Sequence, residues 1–131
     1  MKKIQISETD FKKLQDFLER ERPMNAEEKS CREALLGELN RAEIVQESEL
    51  APDVITLGRR ATLTDLEAND NLEYTLVMPD AADISAGRIS ILAPLGTAML
   101  GFRLGDEFEW TMPGGKLKLR VARVEPAHDL D

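Results

Sequence analysis

The chain has 131 residues, 42% of them hydrophobic and 32% charged, and its 25 acidic against 17 basic side chains give a net charge of −8. That length holds one ordinary domain, or a small domain with a short appendage, and buries enough surface for a core without metals or disulfides. A single cysteine, Cys31, excludes an internal disulfide, the apolar runs fall far short of a membrane span, and no signal peptide is read, so a reducing cytoplasm is the expected compartment.

The first half carries helical periodicity. Ser7 followed by Asp10 forms an N-cap signal, and Phe11, Leu14, Phe17 and Leu18 make one apolar stripe. Pro23 disfavours helix at Arg22 and ends the first helix there or just before it. Asn25 with Glu28 three residues on starts a second helix, expected to reach about Gln46, with Cys31, Leu35, Leu39 and Ala42 as its stripe. Two amphipathic helices joined by so short a turn predict an antiparallel hairpin. Gly37, inside the second helix, marks either close helix approach or a locally weak helix.

Beyond Pro52 and Asp53 the period changes from 3.6 to 2. Residues Val54–Leu57, Arg60–Leu66, Leu72–Pro79, Ile89–Leu92, Glu107–Met112 and Lys116–Val124 are expected as strands. Alternation puts Leu72, Tyr74, Leu76 and Met78 on one face, and likewise Phe108, Trp110 and Met112, and Leu117, Leu119 and Val121. Asn69–Asn71 and Pro113–Gly115 read as hairpin turns, and Pro94–Gly101 as a short helix with Gly101 as its C-cap. The fold class is therefore α+β: a helical hairpin over residues 1–50, then an antiparallel sheet with one short helix over residues 51–131.

The acid excess is shared by both halves. Residues 1–50 carry nine Lys and Arg against twelve Asp and Glu, and residues 51–131 carry eight against thirteen, so no basic stripe is expected. Such a chain has no general affinity for phosphate backbones, and direct sequence-specific binding of nucleic acid is not expected. Nor is a catalytic or metal centre, since one histidine, His128, and one cysteine cannot build a triad or a zinc site. Gly96 and Gly101 are not followed by the Lys-Ser/Thr of a phosphate loop, and no cofactor is expected.

The run from Ile89 through Ala93-Pro94-Leu95-Gly96 and Met99-Leu100-Gly101 to Gly105-Asp106, then Pro113-Gly-Gly, then Leu119–Glu125, resembles the C-terminal domain of the Gre transcript-cleavage factors. The similarity is close over about 40 residues and loose over residues 54–88. It implies an FKBP-like sheet domain, with RNA polymerase as the partner. Ala93 before the proline, and the short N-terminal hairpin, resemble the Rnk branch, whose members are named regulators of nucleoside diphosphate kinase.

The resemblance implies contact with the rim of the polymerase secondary channel through Ser90, Leu92, Ala93, Pro94 and Leu95. Leu92 stands where Gre factors commonly carry an acid, so an apolar contact is expected there; the alternative is that Pro94 and Gly96 merely shape the turn and Leu95 fills the core. Gre factors also present acidic residues at the tip of a long coiled coil. Here the tip would hold Glu19, Glu21, Glu27 and Glu28, which could face a cation or a basic wall, or could be solvated acids favouring the helix dipole.

A first helix of about 14 residues spans only ~21 Å. The expected function is thus a monomeric, non-enzymatic factor docked at the channel entrance without stimulating cleavage. The alternatives are an FKBP-like prolyl isomerase or interaction module, and a true cleavage-stimulating factor.

Overall fold

A computed structural model describes residues 4–112 and 114–125. The chain opens with a short strand, β1 (Gln5–Ser7), which leads directly into α1 (Glu8–Arg20). Ser7 caps α1, its hydroxyl accepting from the Asp10 amide at 3.1 Å. The second helix, α2 (Ala26–Arg41), is capped by Asn25, whose side chain accepts from the Glu28 amide at 2.8 Å, while Glu28 reaches back to the Met24 amide.

The helices run in opposite directions. Phe11 and Gln15 of α1 face Leu36, Leu39 and Asn40 of α2, whereas the far end of α1 is held by Arg32. The Arg32 guanidinium donates to the carbonyls of Leu18, at 2.8 Å, and Glu21, two acceptors that the end of α1 leaves without helical partners. Gly37 has only the tip of Arg41 within 4 Å of where a Cβ would stand, so it marks no close helix approach.

The second helix stops at Arg41, short of the expected Gln46. The Glu43 amide donates to the Ile4 carbonyl at 2.8 Å, and β2 (Glu43–Val45) pairs in parallel with β1. The β-branched pair Ile44-Val45 suits this extended path. Neither strand was expected, so the first half is not purely helical.

The main sheet has five strands: β3 (Arg60–Asp65), β4 (Asp70–Val77), β5 (Arg88–Ser90), β6 (Glu107–Met112) and β7 (Gly115–Glu125), in the order β5-β4-β3-β7-β6. It is not wholly antiparallel as expected, because β5 lies parallel to β4. Two single 3-10 turns, Pro79–Ala81 and Ile84–Ala86, carry the chain back to the start of β4's partner. The expected strand Val54–Leu57 forms only one isolated bridge, Val54 to Arg103; Gly58, at φ +86°, turns the chain away after Leu57. The β3–β4 turn falls on residues 66–69, beginning three residues before the expected Asn69–Asn71, with Asp65 accepting from the amides of Glu67 and Ala68. Pro113, in the β6–β7 turn, lies outside the described residues.

One register shift matters for the core. Between Thr62 and Leu63 the partners on β7 jump from Arg123 to Val121, which leaves Ala122 as a bulge. Strict alternation would put Val121 and Val124 on opposite faces; the bulge returns both to the inner one, beside Leu63 and Ala61. Leu14, Leu18, Leu35 and Leu39 of the helices join Leu63, Leu76, Ile89, Met99, Leu119 and Val121 in one buried cluster, so a single core runs beneath both halves. Among the described residues no helix is long and apolar enough to cross a membrane.

Candidate docking surface

The residues expected at a partner contact fall in one tight turn between β5 and α3 (Pro94–Met99). Its shape follows from local chemistry. The Ser90 hydroxyl accepts from the Leu92 amide at 3.0 Å, and the Ser90 carbonyl accepts from the Ala93 amide at 3.0 Å. Pro94 occupies the first turn of α3, where a missing amide hydrogen costs nothing. The Thr97 hydroxyl, in a buried residue, donates to the Ile91 carbonyl at 2.6 Å and so ties the helix back to the turn it leaves. A Cβ on Gly96 would stand 2.0 Å from the Ser90 carbonyl oxygen, so only glycine lets the helix sit this close to β5.

Burial divides the five expected contact residues. Leu92 and Leu95 are 4% and 5% exposed and belong to the core, so the apolar contact expected of Leu92 has no side chain to make it. Leu92, two residues before Pro94, and Leu95, one after it, both pack into the buried cluster beneath the turn. Ser90, Ala93 and Pro94 remain half-exposed. Sequence reasoning missed Thr97; its only signal is a hydroxyl residue in the first turn of an otherwise apolar helix.

The acids named for the hairpin apex fall at the end of α1 and the start of α2. Glu19, Glu21 and Glu27 are exposed, and Glu28 is half-buried through its bond to the Met24 amide. Between them Met24 is 85% exposed, an apolar apex. Among the described residues no group of three or more His, Cys, Asp or Glu side chains is arranged to hold a metal ion. His128 lies outside the described residues.

The joint between the halves is fastened by side chains. Gln5 accepts from the Ala51 amide at 2.6 Å, and the Arg59 guanidinium donates to the carbonyls of Ala51 and Val54 at 2.5 and 2.8 Å. Burial lowers the proton affinity of Arg59, with Asp53 and Asp10 opposing the shift. Burial likewise pushes the Asp10 carboxyl above its ordinary range, against the pull of Lys13 and Ser7. Asp10 and Lys13 line a groove of about 530 Å³ between α1 and the end of β4, to which Phe17 contributes an aromatic ring.

The outer sheet face contradicts the expectation that no basic stripe exists. Lys116, Lys118 and Arg120 alternate outward along β7, and the bulge at Ala122 brings Arg123 to the same face, opposite Thr62. Glu107 and Glu109 of β6 stand across from Arg120 and Lys118. Counting charges by halves hides such a stripe, because it is created by strand alternation.

Residues 49–126 match the family described as "Transcription elongation factor, GreA/GreB, C-term", and residues 2–45 match the Rnk N-terminus. Over 83 residues the chain is 37% identical to the regulator of nucleoside diphosphate kinase of Escherichia coli K12, covering 63% of this chain and 61% of that protein. Over 97 residues it is 38% identical to transcription elongation factor GreA of Sphingopyxis alaskensis, covering 71% and 61%. The matched region thus spans about three-fifths of the length of these relatives. Among solved structures, a prokaryotic transcription elongation factor GreA/GreB from Nitrosomonas europaea superposes with a TM-score of 0.81 at 37% identity, over 96% of this chain and 100% of that one. GreA factor homolog 1 of Thermus thermophilus gives 0.51 at 25% identity, over 95% and 99%.

Proposed function

The chain belongs to the GreA/GreB family of transcription elongation factors, with an Rnk-type N-terminus, and on that premise we propose that it regulates transcription by docking on RNA polymerase at the secondary-channel entrance without stimulating transcript cleavage. The observation that carries this reading is the length of the hairpin. Helices of 13 and 16 residues extend only about 20 and 24 Å at the α-helical rise, and the apex between them presents Met24 beside its acids. A short apex of that kind suits occupancy of an entrance better than delivery of carboxylates to a distant metal. The contact surface in this reading is the exposed part of the β5–α3 turn, Ser90, Ala93 and Pro94, which the hydrogen bonds of Ser90 and Thr97 hold rigid.

The test is binding to purified bacterial RNA polymerase core, with a full-length Gre factor as competitor and Ala93→Glu and Pro94→Ala as surface variants. Saturable binding that the competitor displaces and Ala93→Glu weakens is expected, together with no rise in cleavage of a stalled transcript. Absence of binding at tens of micromolar sinks the docking proposal, and stimulated cleavage sinks its second half.

A further inference from the structure

Glu125, Arg60, Thr75 and Arg88 form one cross-strand row on the outer face of the sheet, with Glu125 of β7 opposite Arg60. Arg60 of β3 is paired with Thr75 of β4, and Thr75 with Arg88 of β5. Residues paired across neighbouring strands share a face, with strands about 4.8 Å apart, so the two arginines flank the threonine from either side. Together with Glu73, Ala86 and Gly87 they line an open hollow of about 240 Å³.

The donors in this row are poorly occupied. Arg60 approaches Glu73 only at 3.9 Å, and Arg88 approaches Asp83 at 3.6 Å, both beyond hydrogen-bond length. Arg88 is nonetheless aimed, because its Nε donates to the Ala81 carbonyl at 3.0 Å. Among the described residues the Thr75 hydroxyl makes no hydrogen bond. Two planar guanidinium forks and a hydroxyl between them are three separate arms. A planar carboxylate can satisfy two of them, whereas a tetrahedral phosphoryl group offers an oxygen to each.

We propose that the Arg60–Thr75–Arg88 row is a binding site for the phosphate group of a small ligand, held by the two guanidiniums and by the Thr75 hydroxyl. The carboxylates Glu73, Asp83 and Glu125 surround the two arginines when the site is empty, and the phosphate must compete with them for the guanidiniums. Substitutions on the two sides therefore have opposite signs. Loss of an arginine weakens binding, and loss of the Glu73 charge strengthens it, an effect that misfolding cannot imitate. The proposal does not depend on polymerase docking, although Arg88 lies two residues from Ser90 on β5.

The experiment is a titration of the full chain at constant ionic strength, followed by amide and arginine Nε resonances. Inorganic phosphate, adenosine monophosphate and acetate are the three probes. Saturable shifts at Thr75, Gly87 and Arg88 are expected with the phosphate probes. Arg60→Gln weakens them by about fivefold or more, Thr75→Val by about twofold to threefold, and Glu73→Gln tightens them by about twofold. Tighter binding of the monophosphate assigns the site to a phosphate ester, and equal affinity assigns it to free phosphate; either supports the proposal. Acetate binding as well as phosphate, an unchanged affinity in Arg60→Gln, or no saturable shift at tens of millimolar overturns it.

Discussion

Gly101 and Gly105 offer a matched pair that separates backbone strain from steric overlap. Both lie in the left-handed region, at φ +88° and +92°. An alanine at either position therefore meets a similar backbone penalty, about 1–2 kcal/mol. The surroundings differ. At Gly105 nothing lies within 4 Å of the added Cβ, whereas at Gly101 it would stand 2.0 Å from Ile4 Cγ2, 2.7 Å from its Cβ and 3.2 Å from its Cα. Ile4 is fully buried and cannot swing away, and forcing an extra carbon into such a site costs a further 1–3 kcal/mol or so. Gly105→Ala should thus lose about 1–2 kcal/mol and Gly101→Ala about 2–5 kcal/mol. The second loss is a large share of the roughly 5–15 kcal/mol that holds a domain together.

Urea unfolding at equilibrium measures both losses, and an unchanged m-value would show that the denatured state is unaffected. Ile4→Ala removes the nearest atom, so a double-mutant cycle with Gly101→Ala should show a favourable coupling of about 1 kcal/mol or more. A difference between the two glycine variants below about 0.5 kcal/mol, or no coupling to Ile4, refutes the steric reasoning. Ile4 comes from the hairpin half and Gly101 from the end of α3. Their approach fixes one half on the other.

Three further outcomes are expected. Arg32→Ala strands the carbonyls of Leu18 and Glu21 and should cost about 1.5–3 kcal/mol, with faster amide hydrogen exchange confined to the last turn of α1 and the apex. Thr97→Val removes the bond to the Ile91 carbonyl and leaves a buried acceptor unmet, for a loss of about 1–3 kcal/mol in thermal or urea unfolding. Asp10 predicts a pH effect of defined sign. Burial raises its carboxyl above the unfolded value, so the native state holds the extra proton between those two values, and stability from this group falls as pH rises through that window. Asp10→Asn does not titrate; it should exceed the parent in stability at neutral pH, with the gap closing as pH drops toward the ordinary carboxylate range, and a gap that widens on acidification contradicts the assignment.

Local signals in the sequence located the elements that local chemistry decides. Both helix starts were legible because Ser7 and Asn25 cap them with their own side chains. Strands β3, β6 and β7 were legible because alternation persists over six residues or more. What escaped was decided at long range. Strands β1 and β2 have three residues each and exist through pairing across nearly forty positions, which also ended α2 early. The parallel set of β5 depends on how two 3-10 turns return the chain, and the bulge at Ala122 exists only relative to the register of β3. Val54–Leu57 has the composition of a strand but leaves the sheet at Gly58.

The same division governs the candidate site. The stretch Ser90–Leu95 was legible as a unit, but a linear motif does not say which of its side chains face outward. Here framework and surface interleave residue by residue. Ser90 and Thr97 brace the turn, Gly96 permits the close approach, Leu92 and Leu95 anchor it in the core, and only Ser90, Ala93 and Pro94 reach solvent. Under the docking proposal a partner would meet a small, nearly apolar and rigid surface. Such a surface contributes little affinity by area but loses little side-chain entropy on binding, since alanine and proline have almost none to lose. Replacing Ala93 with a charged residue should consequently weaken docking more than truncating Pro94, because the first puts a charge where the partner must lie flat and the second removes only contact area.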